Sequence, residues 1–214
     1  RHSALKTSSY ELSMLPDAKE HRHGIVLQRS LVWAPGEGGS LHYRIPGVVR
    51  LSDGTLVASI DRRKKNGNDL PGDIDVEIKR SIDDGKTWSA PITVARGTAE
   101  HGYGDAAMTT DGHTIYMVMV GGAGLWHYPS HAPLPIQMYF TKSTDGGCTW
   151  EPVTNITKSI YGDRFKYGGF FASGNGIITS TGRIIFVAAI RTEEAWGGRA
   201  DNVLAYSDDQ GKTW

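Results

Sequence analysis

Three arginines and several aspartates lie within a short, polar part of this chain, and their types suit the handling of an anion and a proton. Arg44 stands in Leu41-His-Tyr-Arg-Ile-Pro46, and Arg62 and Arg63 follow in Asp61-Arg-Arg63. An arginine can grip a carboxylate through two parallel, charge-assisted hydrogen bonds. Arg62 and Arg63 are rivals for any pocket, because strand alternation puts only one of two neighbours on a given face. A polar loop comes next, Lys64-Lys-Asn-Gly-Asn-Asp69-Leu-Pro-Gly-Asp73-Ile-Asp75. A carboxyl group on a movable loop can protonate a leaving oxygen and then activate water. Asp69, Asp73 and Asp75 are the candidates, with Asp75 at the start of the following strand, and their spacing does not fit a calcium loop. Asp105 lies in His101-Gly-Tyr-Gly-Asp-Ala-Ala-Met108, and Trp126 lies in a glycine-rich loop that begins at Gly121.

The elements that position these residues are legible from a repeat. The pattern Ser-x-Asp-x-Gly-x-Thr-Trp occurs at 81–88, 143–150 and 207–214, so its first serines are 62 and 64 residues apart. A fixed period is the mark of a repeat architecture. Each copy reads as a hairpin turn: glycine takes a backbone angle other residues resist, and the Asp and Ser/Thr side chains bond nearby amides. This is the pattern called the Asp box, read here as a staple of the fold rather than a site of chemistry. Helical periodicity is nearly absent. Short apolar or alternating runs at 47–51, 55–60, 74–81, 114–120, 136–143, 176–180, 183–190 and 203–207 read as strands. Ser52-Asp-Gly54, Asp111-Gly112 and Ser180-Thr-Gly182 read as tight turns between them. Each period therefore holds about four strands, which is one blade of a β-propeller. A further strand is expected at 25–33, ahead of the first blade. Three boxes imply about three blades, the third incomplete. A closed propeller needs more, and an open half-ring leaves unpaired edges. The expected partner is the C-terminal half of the same propeller, as a second chain or a missing segment.

The chain has 214 residues, with 23 basic and 23 acidic side chains. That balance argues against nucleic acid or a membrane surface held by bulk charge. No apolar run approaches the ~20 residues that span a bilayer. The one cysteine, Cys148, excludes an intrachain disulfide and a cysteine metal framework. Residues 1–23 are polar, with scattered His2, His21 and His23, and read as a linker or the tail of an upstream segment. Residues 24–214 then form the propeller half. The chain starts at Arg1 rather than Met, which suits removal of an upstream segment.

Tyr43-Arg-Ile-Pro46, an Asp-x-Arg at the end of the second strand, an aspartate in the following loop and three Asp boxes together resemble the sialidase (neuraminidase) family. The bacterial exo-sialidases are the nearer match, over residues ~25–214, the first half of their six-bladed catalytic domain. The resemblance implies an all-β, six-bladed propeller of four-stranded antiparallel blades. It also implies an exo-α-sialidase that hydrolyses terminal sialic acid from glycans with retention, without metal or cofactor. Arg44 matches the first of three arginines that hold the sugar carboxylate. Arg63 corresponds to an additional pocket arginine, and counting back from Asp69 favours it over Arg62. Asp69 matches the general acid/base. Asp105 matches the acid that binds acetamido or hydroxyl groups, and Trp126 corresponds to an aromatic near the acetamido methyl. Tyr128, Arg191 and Trp196 are weaker loop candidates. The family's tyrosine nucleophile, its glutamate partner and two arginines belong to the second half, and no residue here matches them. Tyr43, Tyr103, Glu193 and Glu194 do not fill those roles. A non-catalytic sialic-acid-binding propeller and a trans-sialidase are the alternatives. The resemblance, the single cysteine and the missing start suit an exported bacterial protein: periplasmic, cell-surface or secreted.

Overall fold

A computed structural model describes residues 29–124, 135–164, 166–194 and 197–214. It contains three sheets in chain order. The first joins β1 (His42–Arg50), β2 (Leu56–Arg63), β3 (Ile74–Ser81) and β4 (Ile92–Ala95) as an antiparallel meander. The second repeats it with β5 (Gly102–Thr110), β6 (Ile115–Gly122), β7 (Gln137–Ser143) and β8 (Thr154–Asn155). The third is built on β12 (Ile184–Arg191) and β13 (Ala200–Ser207), which pair antiparallel. Its first strand is broken: β9 (Gly169–Phe171) and β11 (Ile177–Ile178) both pair with β12. The segment between them carries β10 (Gly174–Asn175), which pairs in parallel with β5 of the second sheet. One short helix, α1 (Thr157–Tyr161), follows β8. These are three consecutive blades of a β-propeller, and the all-β reading holds.

Two apolar layers lie between the blades. Val57, Val76 and Ile78 of blade 1 meet Met108, Met117 and Met119 of blade 2. Tyr116, Val118 and Phe140 of blade 2 meet Phe171, Phe186 and Ala188 of blade 3. Strands buried on both faces read as continuous apolar runs rather than alternating ones.

The first strand of each blade is irregular, and this corrects the sequence reading. Arg44 was expected just before a strand beginning at residue 47, on an extended Ile45-Pro46. Instead β1 begins at His42 and contains Arg44. Ile45 takes a left-handed φ of 61°, and the register shifts between Arg44 and Gly47. A bulge leaves residues unpaired, so Pro46 lacks nothing there. The matching bulge in β5 falls at Asp105, φ 52°, between Gly104 and Ala107. A second correction concerns residues 29–33, which carry no strand, while 25–28 lie outside the described residues. Trp33 instead packs on Ala58 and Ile60 of β2, and Lys79 holds the carbonyl of Val32 at 2.8 Å and the Glu37 carboxylate. Residues 1–23 lie outside the described residues.

All three boxes close alike. The hydroxyls of Ser81, Ser143 and Ser207 accept the amides of Gly85, Gly147 and Gly211 at 2.9, 2.8 and 2.8 Å. Asp83, Asp145 and Asp209 accept the amides of Thr87, Thr149 and Thr213 at 2.9, 2.9 and 2.8 Å, and their hydroxyls at 2.7, 2.6 and 2.6 Å. The second and third turns also rest on the blade before them. Arg80 donates to the carbonyl of Gly146 at 2.7 Å, and Lys142, at the same repeat position, reaches that of Gln210 at 3.5 Å. A Cβ on Gly211 would stand 2.3 Å from Phe140.

The threonine bonds hold the Asp83 and Asp209 carboxyls down at about 2, and Asp145 reaches the same value against opposing burial. A depressed folded pKa means that the box bonds stabilise fully above the unfolded value near ~3.9 and fade as the pH falls toward 2. Asp145→Asn should therefore lower Tm by about 2–6 °C at pH 7 and by less at pH 2.5. A Tm difference that does not shrink on acidification would contradict this. Gly211→Ala should lower Tm without that pH dependence.

Candidate active site

Charged side chains from both blades meet where β1, β2 and β5 lie together. Arg44 is paired directly opposite Asp61 across β1 and β2. Arg63, two residues beyond Asp61, shares its face of β2, and both side chains are only 1% exposed. Arg62 points the other way, to Glu77 at 3.2 Å and to the carbonyl of Gly38. Of the two neighbouring arginines, Arg63 thus faces the cluster.

The loop after β2 brings in Asp69. Its Oδ1 lies 2.7 Å from Arg63 Nη1 and 3.1 Å from Arg44 Nη1. The carbonyl of Gly67 accepts from Arg63 at 2.8 Å and from Arg44 at 3.5 Å. Asp69 and Arg44 side chains are 72% and 50% exposed. Arg63 is therefore a fixed, dry charge, whereas Arg44 and Asp69 are free to rearrange around a ligand. Asp73 and Asp75 serve another purpose. Lys64 Nζ binds them at 2.5 and 2.9 Å, and Asp75, buried within β3, also accepts the amide of Gly97 at 2.7 Å. They anchor the base of the loop that carries Asp69.

Blade 2 contributes Asp105. Its backbone amide lies 3.1 and 3.3 Å from the two carboxylate oxygens of Asp61. Burial raises the Asp105 carboxyl pKa, the Asp69 charge raises it further, and Arg63 and Arg44 oppose the rise. Burial, then the charge of Asp105, push Asp61 up to about 8 against the pull of Arg63. The structure thus brings Arg44, Arg63, Asp69 and Asp105 together. It adds Asp61, which the sequence reading named only as part of a motif. Its position two residues from Arg63 was the available signal. Trp126, Tyr128 and Trp196 lie outside the described residues. Arg191, expected in a loop, ends β12, is buried, and lies 5.9 Å from the ring centroid of Tyr167.

A larger, mostly apolar cleft of about 950 Å³ opens on the outer face of blade 1, between Trp33, Pro46, Val48, Ile60 and Trp88. Arg44 borders it, but Asp61, Arg63, Asp69 and Asp105 do not line it. Chemistry that needs charge belongs to the cluster rather than to this cleft. Among the described residues no three His, Cys, Asp or Glu side chains group as metal ligands, and no helix is long and apolar enough to cross a membrane.

Comparison with known proteins defines the class. Residues 45–214 match the family described as a BNR repeat-like domain, and the chain belongs to that family. The resemblance to bacterial exo-sialidases holds over most of its length. A sialidase of Bacteroides fragilis is 31% identical over 91% of this chain, and one of Micromonospora viridifaciens is 34% identical over 84%. The chain spans 37% and 29% of those two relatives. The solved structure of a Hadza microbial sialidase superposes with a TM-score of 0.73 at 27% identity, covering 84% of this chain and 38% of that one.

The Asp61 carboxyl gives a pH signature. Folding keeps it protonated while the unfolded chain ionises above ~3.9, so stability should decline as the pH rises from 4 and level off above 8. Asp61→Asn, which cannot ionise, should flatten that decline, making the variant relatively more stable at pH 8 than at pH 4.5. Parallel denaturation curves for both proteins at the two pH values would refute this.

Proposed function

We propose that this chain is the part of an exo-α-sialidase that carries its acid/base and half of its sugar-binding pocket. The carrying observation is the convergence of Arg44 and Arg63 on one exposed loop carboxylate, Asp69, with Asp105 beside them. A sialoside bears a carboxylate at its reacting carbon. Arg44 exchanges Asp69 for that carboxylate, while Arg63 stays fixed and, with Asp105, meets the polar substituents of the ring. Asp69, released toward the leaving group, protonates the glycosidic oxygen and then activates water. On the family resemblance alone, Trp126, outside the described residues, is assigned to the acetamido methyl.

Retention requires a nucleophile, and beside a substrate carboxylate a neutral hydroxyl approaches more easily than an anion. We assign this step to a tyrosine outside the chain. The tyrosines near the site are unsuited: Tyr43 donates its hydroxyl to the carbonyl of Glu37 at 2.5 Å, and Tyr103 packs edge-on against His101 and Tyr139. Burial raises the pKa of both hydroxyls, away from nucleophilic character. The remaining blades are the second half of the propeller, in the same or another chain. Apolar side chains left open on the outermost sheets support this, Val48 on β1 and Val187 and Leu204 on β12 and β13, with the cleft against Trp33. Substrates are sialylated glycans, the reaction needs no cofactor, and the protein acts outside the cytoplasm.

In the complete protein, Asp69→Ala should slow release of sialic acid from a fluorogenic sialoside by about 10²–10⁴-fold, with product affinity kept or increased because Arg44 is unmasked. An unreactive wild-type protein that still binds sialoside through Arg44 would make it a sialic-acid-binding propeller. Transfer to an acceptor sugar in place of water would make it a trans-sialidase.

A further inference from the structure

We infer that Asp61 is a positioning residue that sets both Asp105 and Arg63, the two polar groups held stiffly at the site. The inference deepens the sialoside reading and rests on it for the ligand, but not for the geometry. Two independent contacts converge on this one carboxyl group, and Arg44 stands opposite the Asp61 backbone. Across the blade boundary its two oxygens take the amide of Asp105 at 3.1 and 3.3 Å. Along its own strand Oδ2 stands 3.4 Å from Arg63 Nη2. Across β1 and β2 it is the register partner of Arg44.

The Asp105 contact has the most to hold. Asp105 adopts φ 52°, a left-handed conformation that is rare outside glycine and persists where the surroundings over-determine it. The bulge between Gly104 and Ala107 removes the ladder bonding that would otherwise fix the strand there. Asp61 supplies the missing acceptor from the adjacent blade. The space for it is made by a specific absence: a Cβ on Gly104 would lie 2.8 Å from Asp61 Oδ2. Gly104 itself needs no positive φ, so its role is to admit the carboxyl group. A buried acid that costs stability and is shielded by a glycine on the facing strand is explained by what it holds. It orients the Asp105 side chain toward Arg44, Arg63 and Asp69, and keeps the Arg63 guanidinium on the same side.

The test uses the complete protein and two readouts. The first is hydrogen exchange at the Asp105 amide, which needs no ligand. Asp61→Ala should speed it by at least about tenfold, and Asp61→Asn should restore protection, because an amide oxygen still accepts that N–H. The second is affinity for N-acetylneuraminic acid. Asp61→Ala and Asp105→Ala should each weaken it by about tenfold, and the double variant should be no weaker than Asp105→Ala by more than the smaller Arg63 contribution. Gly104→Ala, which displaces the carboxylate while leaving Asp61 in the sequence, should reproduce both effects and stands in if Asp61→Ala does not fold. Unchanged Asp105 exchange, or fully additive losses of affinity, would overturn the assignment. A wild-type protein that fails to bind the sugar would sink the ligand reading, while the exchange result would still decide the role of Asp61.

Discussion

The seating of the second and third Asp-box turns on the preceding blade is the contact on which the arrangement of the site depends. Propeller sheets touch through flat apolar layers, which resist separation but do little to stop one sheet sliding over the next. Directional contacts fix the offset. Arg80 reaching Gly146 and Lys142 reaching Gln210 are the same contact one period apart, and Gly211 lies against Phe140 with no room for a side chain. With blade 2 set against blade 1 in this way, β5 runs past the end of β2. The amide of Asp105 then meets the carboxyl group of Asp61. Boxes at one edge of the blades thus align the strand ends that carry the charged cluster.

Within the cluster, burial separates fixed groups from adjustable ones. Arg63 and Asp61 are dry, held by strand β2 and by each other's proximity. Arg44 and Asp69 are wet and belong to a bulged strand and a loop. On the proposed function, an anionic ligand would meet an electrostatic background it does not need to reorganise, and would take Arg44 from an exposed ion pair. The exposed Arg44–Asp69 pair is worth little, whereas the 2.7 Å contact of Asp69 with the buried Arg63 is the stronger hold on the loop. Asp73 and Asp75 complete the division of labour: tied to Lys64, they pin the loop's C-terminal root and leave its tip free.

Much of this was legible in the sequence because the repeat imposes its own geometry. Serine, aspartate, glycine and threonine at fixed offsets describe the box turn almost atom by atom, and the run at 74–81 coincides with β3. The polar residues Arg44, Arg63, Asp69 and Asp105 were picked out by motif and found together. What escaped has a common physical cause. The starts of β1 and β5 carry bulges, so Arg-Ile-Pro and Gly-Asp-Ala break the alternation by which a strand is recognised. Strands β8 and β10 are two residues each and hold their place through tertiary pairing rather than propensity. Asp61 was overlooked as a functional group because its importance lies in a bond to another blade, which no local pattern encodes.

The central claim is that Arg44 and its neighbours receive the carboxylate of a sialic acid. The most direct measurement compares the affinity of the complete protein for N-acetylneuraminic acid and for its neutral methyl ester, with Arg44→Ala alongside. The account predicts that the acid binds about tenfold or more tighter than the ester, and that Arg44→Ala abolishes most of the difference. Equal affinity for acid and ester, or a preference that survives the loss of Arg44, would contradict it.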